Sequence, residues 1–258
     1  MDLSRLDYRD FQQIRRARQR RGRPFVIAHR GASAAAPENT LAAFALALRQ
    51  GAHLIETDLW FTQDAEIVLH HDRTLQRTMG RPEAVGQLSR HELLQCAALE
   101  PYPHAHGSVC IPALEELLEL ARTAGAGLLL ELKDPLFSQA AYGNILLGKL
   151  REYDLLHSCF LVSFSPVCLE AMRGLDPHMP LGLISMRIGL PDGPWALLGP
   201  MYLNLLVNPL YPWMAHRREM LVAPLDPQPH LRARLYKQMG VDAVLADDVA
   251  QIASLLQD

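Results

Sequence analysis

The chain has 258 residues, 49 % of them hydrophobic and 21 % charged, with a net charge of −3, an ordinary composition for a soluble globular protein. That length suits one (β/α)8 barrel, though it also permits two smaller domains. A chain this long buries roughly three quarters of its unfolded surface, so it needs no disulfide or metal staple, and any metal is expected to be catalytic. Cys96, Cys110, Cys159 and Cys168 form no CxxC pair and read as free thiols in a reducing compartment.

Charge is unevenly spread. Residues 1–24 hold eight Arg against three Asp, about +5, which leaves −8 for the remainder. The basic part is Arg15, Arg16, Arg18, Arg20, Arg21 and Arg23. Such a cluster can attract anionic lipid or nucleic acid, but the plainer expectation is a solvated helix face. Leu3, Leu6, Phe11 and Ile14 recur at helical spacing, so residues 1–24 are expected to form a short amphipathic helix docked on a barrel spanning 25–258.

Short apolar strands then alternate with helices. Phe25–Ala28 reads as a strand, and 40–50 as a helix with Asn39 or Thr40 at its start and Gly51 at its end. Leu54–Phe61 and Ile67–His71 read as the second and third strands. Residues 72–111 are rich in Pro and Gly and fit an insertion over one end of the barrel, with a helical run near His91–Ala98. Helices are expected at Ala113–Ala124, Ser138–Tyr153 and Pro166–Arg173, and strands at Gly127–Lys133, Phe160–Phe164 and Leu181–Ile184. Gly193–Ala215 carries no charged side chain, but its four prolines oppose a membrane span; it is expected to hold a barrel strand with loops. Further strands are expected at Tyr202–Val207, Met220–Ala223 and Ala243–Leu245, and helices at His230–Gln238 and Val249–Leu256. This alternation predicts a parallel sheet with crossover helices. The absence of GxGxxG or GxxxxGK[ST] after the first strand favours a TIM barrel over a doubly wound sheet. No apolar leader stands in the first thirty residues, and a cytoplasmic location without a transmembrane segment is expected.

In a barrel, functional groups belong at the C-terminal strand ends. The first strand ends in His29-Arg30, the second contains Glu56 and Asp58, the third ends in His71-Asp72, and the fourth contains Glu131 and Lys133. Residues two apart on a strand share a face, so Glu56 pairs with Asp58 and Glu131 with Lys133. Three converging carboxylates repel one another unless a cation sits among them, and a hard divalent ion with oxygen ligands, Mg2+ or Ca2+, suits them. The two histidines can exchange protons near neutral pH, and Arg30 and Lys133 suit an anionic substrate. Together these point to phosphate-ester hydrolysis.

The same residues resemble the opening signature of the glycerophosphodiester phosphodiesterase family: His29-Arg30-Gly31, Pro37-Glu38-Asn39-Thr40, Ile55-Glu56-Thr57-Asp58, Thr62-Gln63-Asp64 and His71-Asp72, then Thr74-Leu75, Arg77-Thr78 and Gly80. Ile111-Pro112 through Leu118, Glu131-Leu132-Lys133, Gly240-Val241-Asp242-Ala243 and Asp247-Asp248 continue the likeness, which covers about residues 25–250. The resemblance implies a (β/α)8 barrel with a small insertion after the third strand. It implies Glu56, Asp58 and Glu131 as metal ligands, His29 and His71 as general acid and base, and Arg30 and Lys133 as phosphate binders. It implies attack by a glycerol hydroxyl that expels the other alcohol and gives a cyclic phosphodiester, which water opens to glycerol 3-phosphate. The expected partner is a small-molecule glycerophosphodiester rather than nucleic acid, with peripheral membrane contact left open. Oligomeric state is not readable.

Two positions depart from the family pattern. Val222-Ala223-Pro224-Leu225-Asp226 lacks the aromatic of a Trp-Thr-Val-Asn-like run, and Ala246-Asp247-Asp248 stands for Thr-Asp-Asp. Two alternatives therefore stay open: a lysophospholipase D, and a catalytically silent barrel that binds phosphodiesters. His70 and His53 are expected to be structural, and His104 and His106 to lie in an exposed loop.

Overall fold

Nine strands form among residues 6–96 and 110–257, the part of the chain that the computed structural model describes. They are β1 (Phe25–His29), β2 (Leu54–Phe61), β3 (Ile67–Leu69), β4 (Gly127–Leu132), β5 (Cys159–Ser163), β6 (Leu181–Ser185), β7 (Leu197–Pro200), β8 (Leu221–Val222) and β9 (Ala243–Ala246). Eight of them run parallel in the order β8-β7-β6-β5-β4-β2-β1-β9, a nearly closed barrel with helices outside. Side chains alternate across each strand. Phe25, Ile27, Leu54, Leu129, Phe160, Leu197, Leu221 and Ala243 fill the interior, while Val26, Ala28, Ile55, Leu128, Leu130 and Val244 pack outward against the helices.

β3 departs from expectation. It pairs antiparallel with β2, Leu59 opposite Leu69 and Phe61 opposite Ile67, and is not a barrel strand. Residues 62–66 are too few for a parallel crossover, which takes a dozen or more residues. They make a tight turn instead, with Ala65 at φ +61° and the Thr62 hydroxyl bonded to Asp64 and Glu66. Beyond β3 the chain forms two short helices, Gln76–Met79 and Arg90–Leu94, over a small separate core of Val68, Leu75, Met79, Val85, Leu93 and Ile111. Ala97, Ala98, His104 and His106 lie outside the described residues.

Tyr202–Val207 is a helix and not a strand. The strand of this region is β7, and a short apolar run does not by itself separate the two. Asn204 and Leu205 are buried while Leu203, Leu206 and Val207 are exposed, a one-sided helical pattern. A second short helix, Tyr211–His216, follows. No described helix is long and apolar enough to cross a membrane.

The N-terminal segment closes the bottom of the barrel, at the first residues of the strands. Asp10 caps the helix Phe11–Arg21, and Gly22 ends it at φ +68°. Its Ile14 and Ala17, with Tyr8, join the interior cluster, and Tyr8 packs on Phe160 with ring centroids 4.8 Å apart. Gly127 leaves room for this, because a Cβ there would collide with the Tyr8 hydroxyl. The arginine cluster is only partly a solvated face: Arg15 bonds Asp242 at 2.6 Å, Arg18 bonds the Val241 and Lys237 carbonyls, and Arg21 lies over the Phe25 ring.

Asp242 also spans the gap between β8 and β9. Its amide donates to Val222 O at 3.0 Å. Its carboxylate accepts from Val222 N at 2.8 Å and meets His216 Nε2 at 2.8 Å. Replacing Asp242 with Ala leaves Arg15 and the Val222 amide without their acceptor, and should cost about 3–5 kcal/mol. Urea denaturation measures this as a lower midpoint, and a loss under about 1 kcal/mol would show that the seam does not depend on Asp242.

Candidate active site

The inward stripe that is apolar at the bottom of the barrel turns polar at the top. On β1 it runs Phe25, Ile27, His29; on β2 Leu54, Glu56, Asp58; on β4 Leu129, Glu131. Register then places His29 beside Glu56 and Asp58 beside Glu131. Ligand atoms of Glu56, Asp58 and Glu131 lie within 4.8 Å of one another, and all three residues are buried.

The turn after β1 is shaped to meet them. Arg30 adopts φ +56° and Gly31 φ +86°, and a Cβ on Gly31 would stand 2.7 Å from Ala43, so glycine is required where the turn presses on the helix Leu41–Arg49. Arg30 N donates to Glu56 Oε2 at 2.9 Å, and its Nε lies 3.4 Å from Asp58 Oδ2. Asn39, also at positive φ, donates from Nδ2 to Asp58 Oδ2 at 2.9 Å and accepts from the Thr57 hydroxyl at 2.7 Å. Lys133 Nζ lies 2.8 Å from Glu131 Oε1 and 3.4 Å from Asp58 Oδ1, with the Phe164 ring centroid 5.8 Å away.

Both histidines carry a carboxylate on Nδ1: Asp247 on His29 and Asp72 on His71, each at 2.7 Å. A carboxylate only accepts, so each ring keeps its proton on Nδ1 when neutral and leaves Nε2 unprotonated. Burial pulls His29 down, but its bond to Asp247 and the charge of Glu56 outweigh this and raise it above the ordinary histidine value. Burial also pulls His71 down, and there Asp58 and Asp72 offset the pull only in part. Burial and the Asp58 charge raise Glu131 and push Glu56 up to about 8. Lys133 is lowered by burial but raised more by Asp58 and Glu131, and ends above the usual lysine value.

These acids fit a cation. Among the described residues Asp58 Oδ1 is buried and accepts no hydrogen bond, since Lys133 approaches it without bonding geometry. Three buried carboxylates with a spare lone pair, all hard oxygen donors, suit Mg2+ or Ca2+. All seven residues singled out in the sequence gather at this end of the barrel. Asp247, Glu38, Asn39, Asp72 and Arg77 also line this site; each lies inside a motif quoted above but is given no role in the site by the sequence. His70 is buried, with Nδ1 on Asp72 O and Nε2 on the Thr78 hydroxyl. His53 accepts from Val26 N, and burial with nearby Arg21 lowers it to about 3.

A family model, the glycerophosphoryl diester phosphodiesterase family, matches residues 29–251. The chain belongs to this family. It is 28 % identical over 250 residues to a glycerophosphodiester phosphodiesterase from Caldanaerobacter subterraneus, covering 90 % of this chain and 97 % of the relative. A phosphodiesterase from Oleispira antarctica, solved with the product sn-glycerol-3-phosphate, superposes with a TM-score of 0.80 at 26 % identity, covering 91 % of this chain and 97 % of that one. A glycerophosphodiester phosphodiesterase from Agrobacterium tumefaciens shares the fold at a TM-score of 0.77 and 23 % identity, over 90 % of this chain and 99 % of that one.

A buried carboxylate triad of this kind should make stability depend on pH and on any bound cation. Glu56 holds its proton more tightly when folded (about 8) than its ordinary value of 4.5. Between those values the folded state binds more protons than the unfolded one, so its contribution falls as pH rises. With chelator present, the melting temperature should drop from about pH 5 to about pH 8. Mg2+ or Ca2+ should restore it at the upper end, and Glu56→Gln should flatten the pH dependence. A Glu56→Gln curve that tracks the wild type would refute the assignment.

Proposed function

We propose that this chain hydrolyses glycerophosphodiesters to glycerol 3-phosphate and an alcohol, with one divalent cation, Mg2+ or Ca2+, held by Glu56, Asp58 and Glu131. The observation that carries this reading is the buried triad flanked by two histidines, each with its Nδ1 engaged and no partner on Nε2 among the described residues. The product found in the Oleispira antarctica relative supports the same substrate class.

When bound, the cation would lower the pKa of a coordinated hydroxyl and offset charge on a phosphate oxygen. Lys133 and Arg30 would hold the remaining phosphate oxygens, Arg30 through its planar fork and Lys133 as a point charge. His71, whose affinity for a proton is depressed, would accept the proton of the attacking hydroxyl at Nε2. His29, raised above the ordinary value, would deliver one from Nε2 to the leaving oxygen. Opposed shifts on two titratable groups suit such a division. Asp72 and Asp247 keep the ring tautomers that this exchange needs. The four unpaired cysteines suit a reducing compartment such as the cytoplasm.

A second reading, the same hydrolysis on a lysophospholipid, draws on Phe164 beside Lys133 and on Met186, Ile188 and Leu190. These are all exposed, the last three on the connection that leaves β6 at the mouth end. The basic N-terminal helix lies at the opposite end of the barrel and lends it no support.

His29→Ala and His71→Ala should each lower kcat/KM by at least about 10²-fold without unfolding the protein. The assay is metal-dependent glycerol 3-phosphate release from a panel of glycerophosphodiesters and lysophospholipids, with and without chelator. Near-wild-type turnover in either variant would remove that histidine from the chemistry. Metal binding without turnover of any diester would mark a silent phosphodiester-binding barrel.

A further inference from the structure

Arg77 lies outside the seven residues given roles above, yet its guanidinium ties two of them together. It bonds Glu38 through both terminal nitrogens, Nη1 to Oε2 at 2.8 Å and Nη2 to Oε1 at 2.6 Å. Its Nε donates to Asp72 Oδ2 at 2.6 Å. Asp72 turns its other oxygen, Oδ1, to His71 Nδ1, and Glu38 Oε1 lies 3.4 Å from Arg30 Nη1. One planar cation therefore spans two carboxylates, the first behind His71 and the second behind Arg30.

We propose that Arg77 is a positioning residue that sets the proton-accepting ring of His71 and the phosphate-binding fork of Arg30 in place relative to each other. The reaction roles rest on the function proposed above; the brace itself rests only on these contacts.

The position of Arg77 is itself built into the fold. It sits on the helix Gln76–Met79, closed by Gly80 at φ +67°, with Leu75 and Met79 buried in the small core beyond β3. Buried His70 bonds both Asp72 O and the Thr78 hydroxyl, so residue 78 is pinned to residue 72 and Arg77 is brought over Asp72. Burial would raise the Glu38 pKa, but the Arg77 bonds and the Arg30 charge hold it below the ordinary range, which keeps the carboxylate ionised for both arginines. Arg77 is about half exposed (side chain 49 %), so its ion pairs are screened and add little to stability. Lysine cannot replace it, because a single ammonium lacks the fork that meets two carboxylates in one plane.

The test uses the full chain with Mg2+. Arg77→Ala and Arg77→Lys should each lower kcat on glycerophosphocholine by about 10- to 100-fold and raise KM, with the melting temperature within about 2 °C of wild type. Added guanidinium should restore part of the Arg77→Ala activity. Combining Arg77→Ala with Asp72→Asn should cost no more than the worse single change, as for residues acting through one contact.

A readout independent of turnover is the ¹⁵N spectrum of the His71 ring. It should show the Nδ1–H tautomer in the wild type and a mixture in Arg77→Ala. An unchanged tautomer together with near-wild-type kcat in Arg77→Ala would overturn the brace. A wild type that turns over no diester, with the tautomer shift still seen in Arg77→Ala, would overturn the proposed function and leave the brace standing.

Discussion

Three carboxylates buried within 4.8 Å of one another are the constraint on which the top of this barrel is organised. Charges this close in a poorly solvated site cannot all stay ionised without opposite charge nearby, and burial with the Asp58 charge pushes Glu56 up to about 8. The surroundings answer that problem from several directions. Lys133 stands against Glu131 and Asp58, Arg30 against Asp58, and Asn39 and the Arg30 amide donate to carboxylate oxygens. The turn at Arg30 and Gly31, both at positive φ, aims that amide at Glu56. Asp58 Oδ1, which accepts no hydrogen bond among the described residues, suits a hard cation.

The opposite end of the barrel solves a different problem. Its interior is apolar and would be open to water without the N-terminal segment, whose Tyr8, Ile14 and Ala17 complete the cluster. The strand order leaves β8 and β9 at the two edges of the sheet, and buried Asp242 joins them while taking Arg15 from the N-terminal helix. Substitutions there should act on stability, and those at the top on chemistry, because alternation along the same strands supplies both ends with separate residues.

Around the triad lies a second set of side chains that hold the inner ones. Asp247 and Asp72 each occupy one nitrogen of a histidine, and Arg77 and Glu38 connect the Asp72–His71 pair to Arg30. The short excursion beyond β3 therefore contributes to the site by placing Arg77, with buried His70 as its anchor. Such outer partners orient a reactive group without touching the substrate.

The sequence by itself determined the barrel's alternation and which polar residues stand at its strand ends. Both follow from local rules: apolar runs mark strands, a spacing of two marks a shared face, and functional groups collect where strands end. His29, Glu56, Asp58, His71, Glu131, Arg30 and Lys133 were legible for that reason. Tertiary structure decided what depends on contacts between distant segments. It made Ile67–Leu69 an antiparallel partner of β2 and Tyr202–Val207 a helix, because neither short apolar run carries a decisive period. It turned Arg15 and Arg18 from a solvated face into docking groups. It also brought Asp247 to His29 from 218 positions away, a pairing set by β1 lying beside β9, which no local pattern encodes.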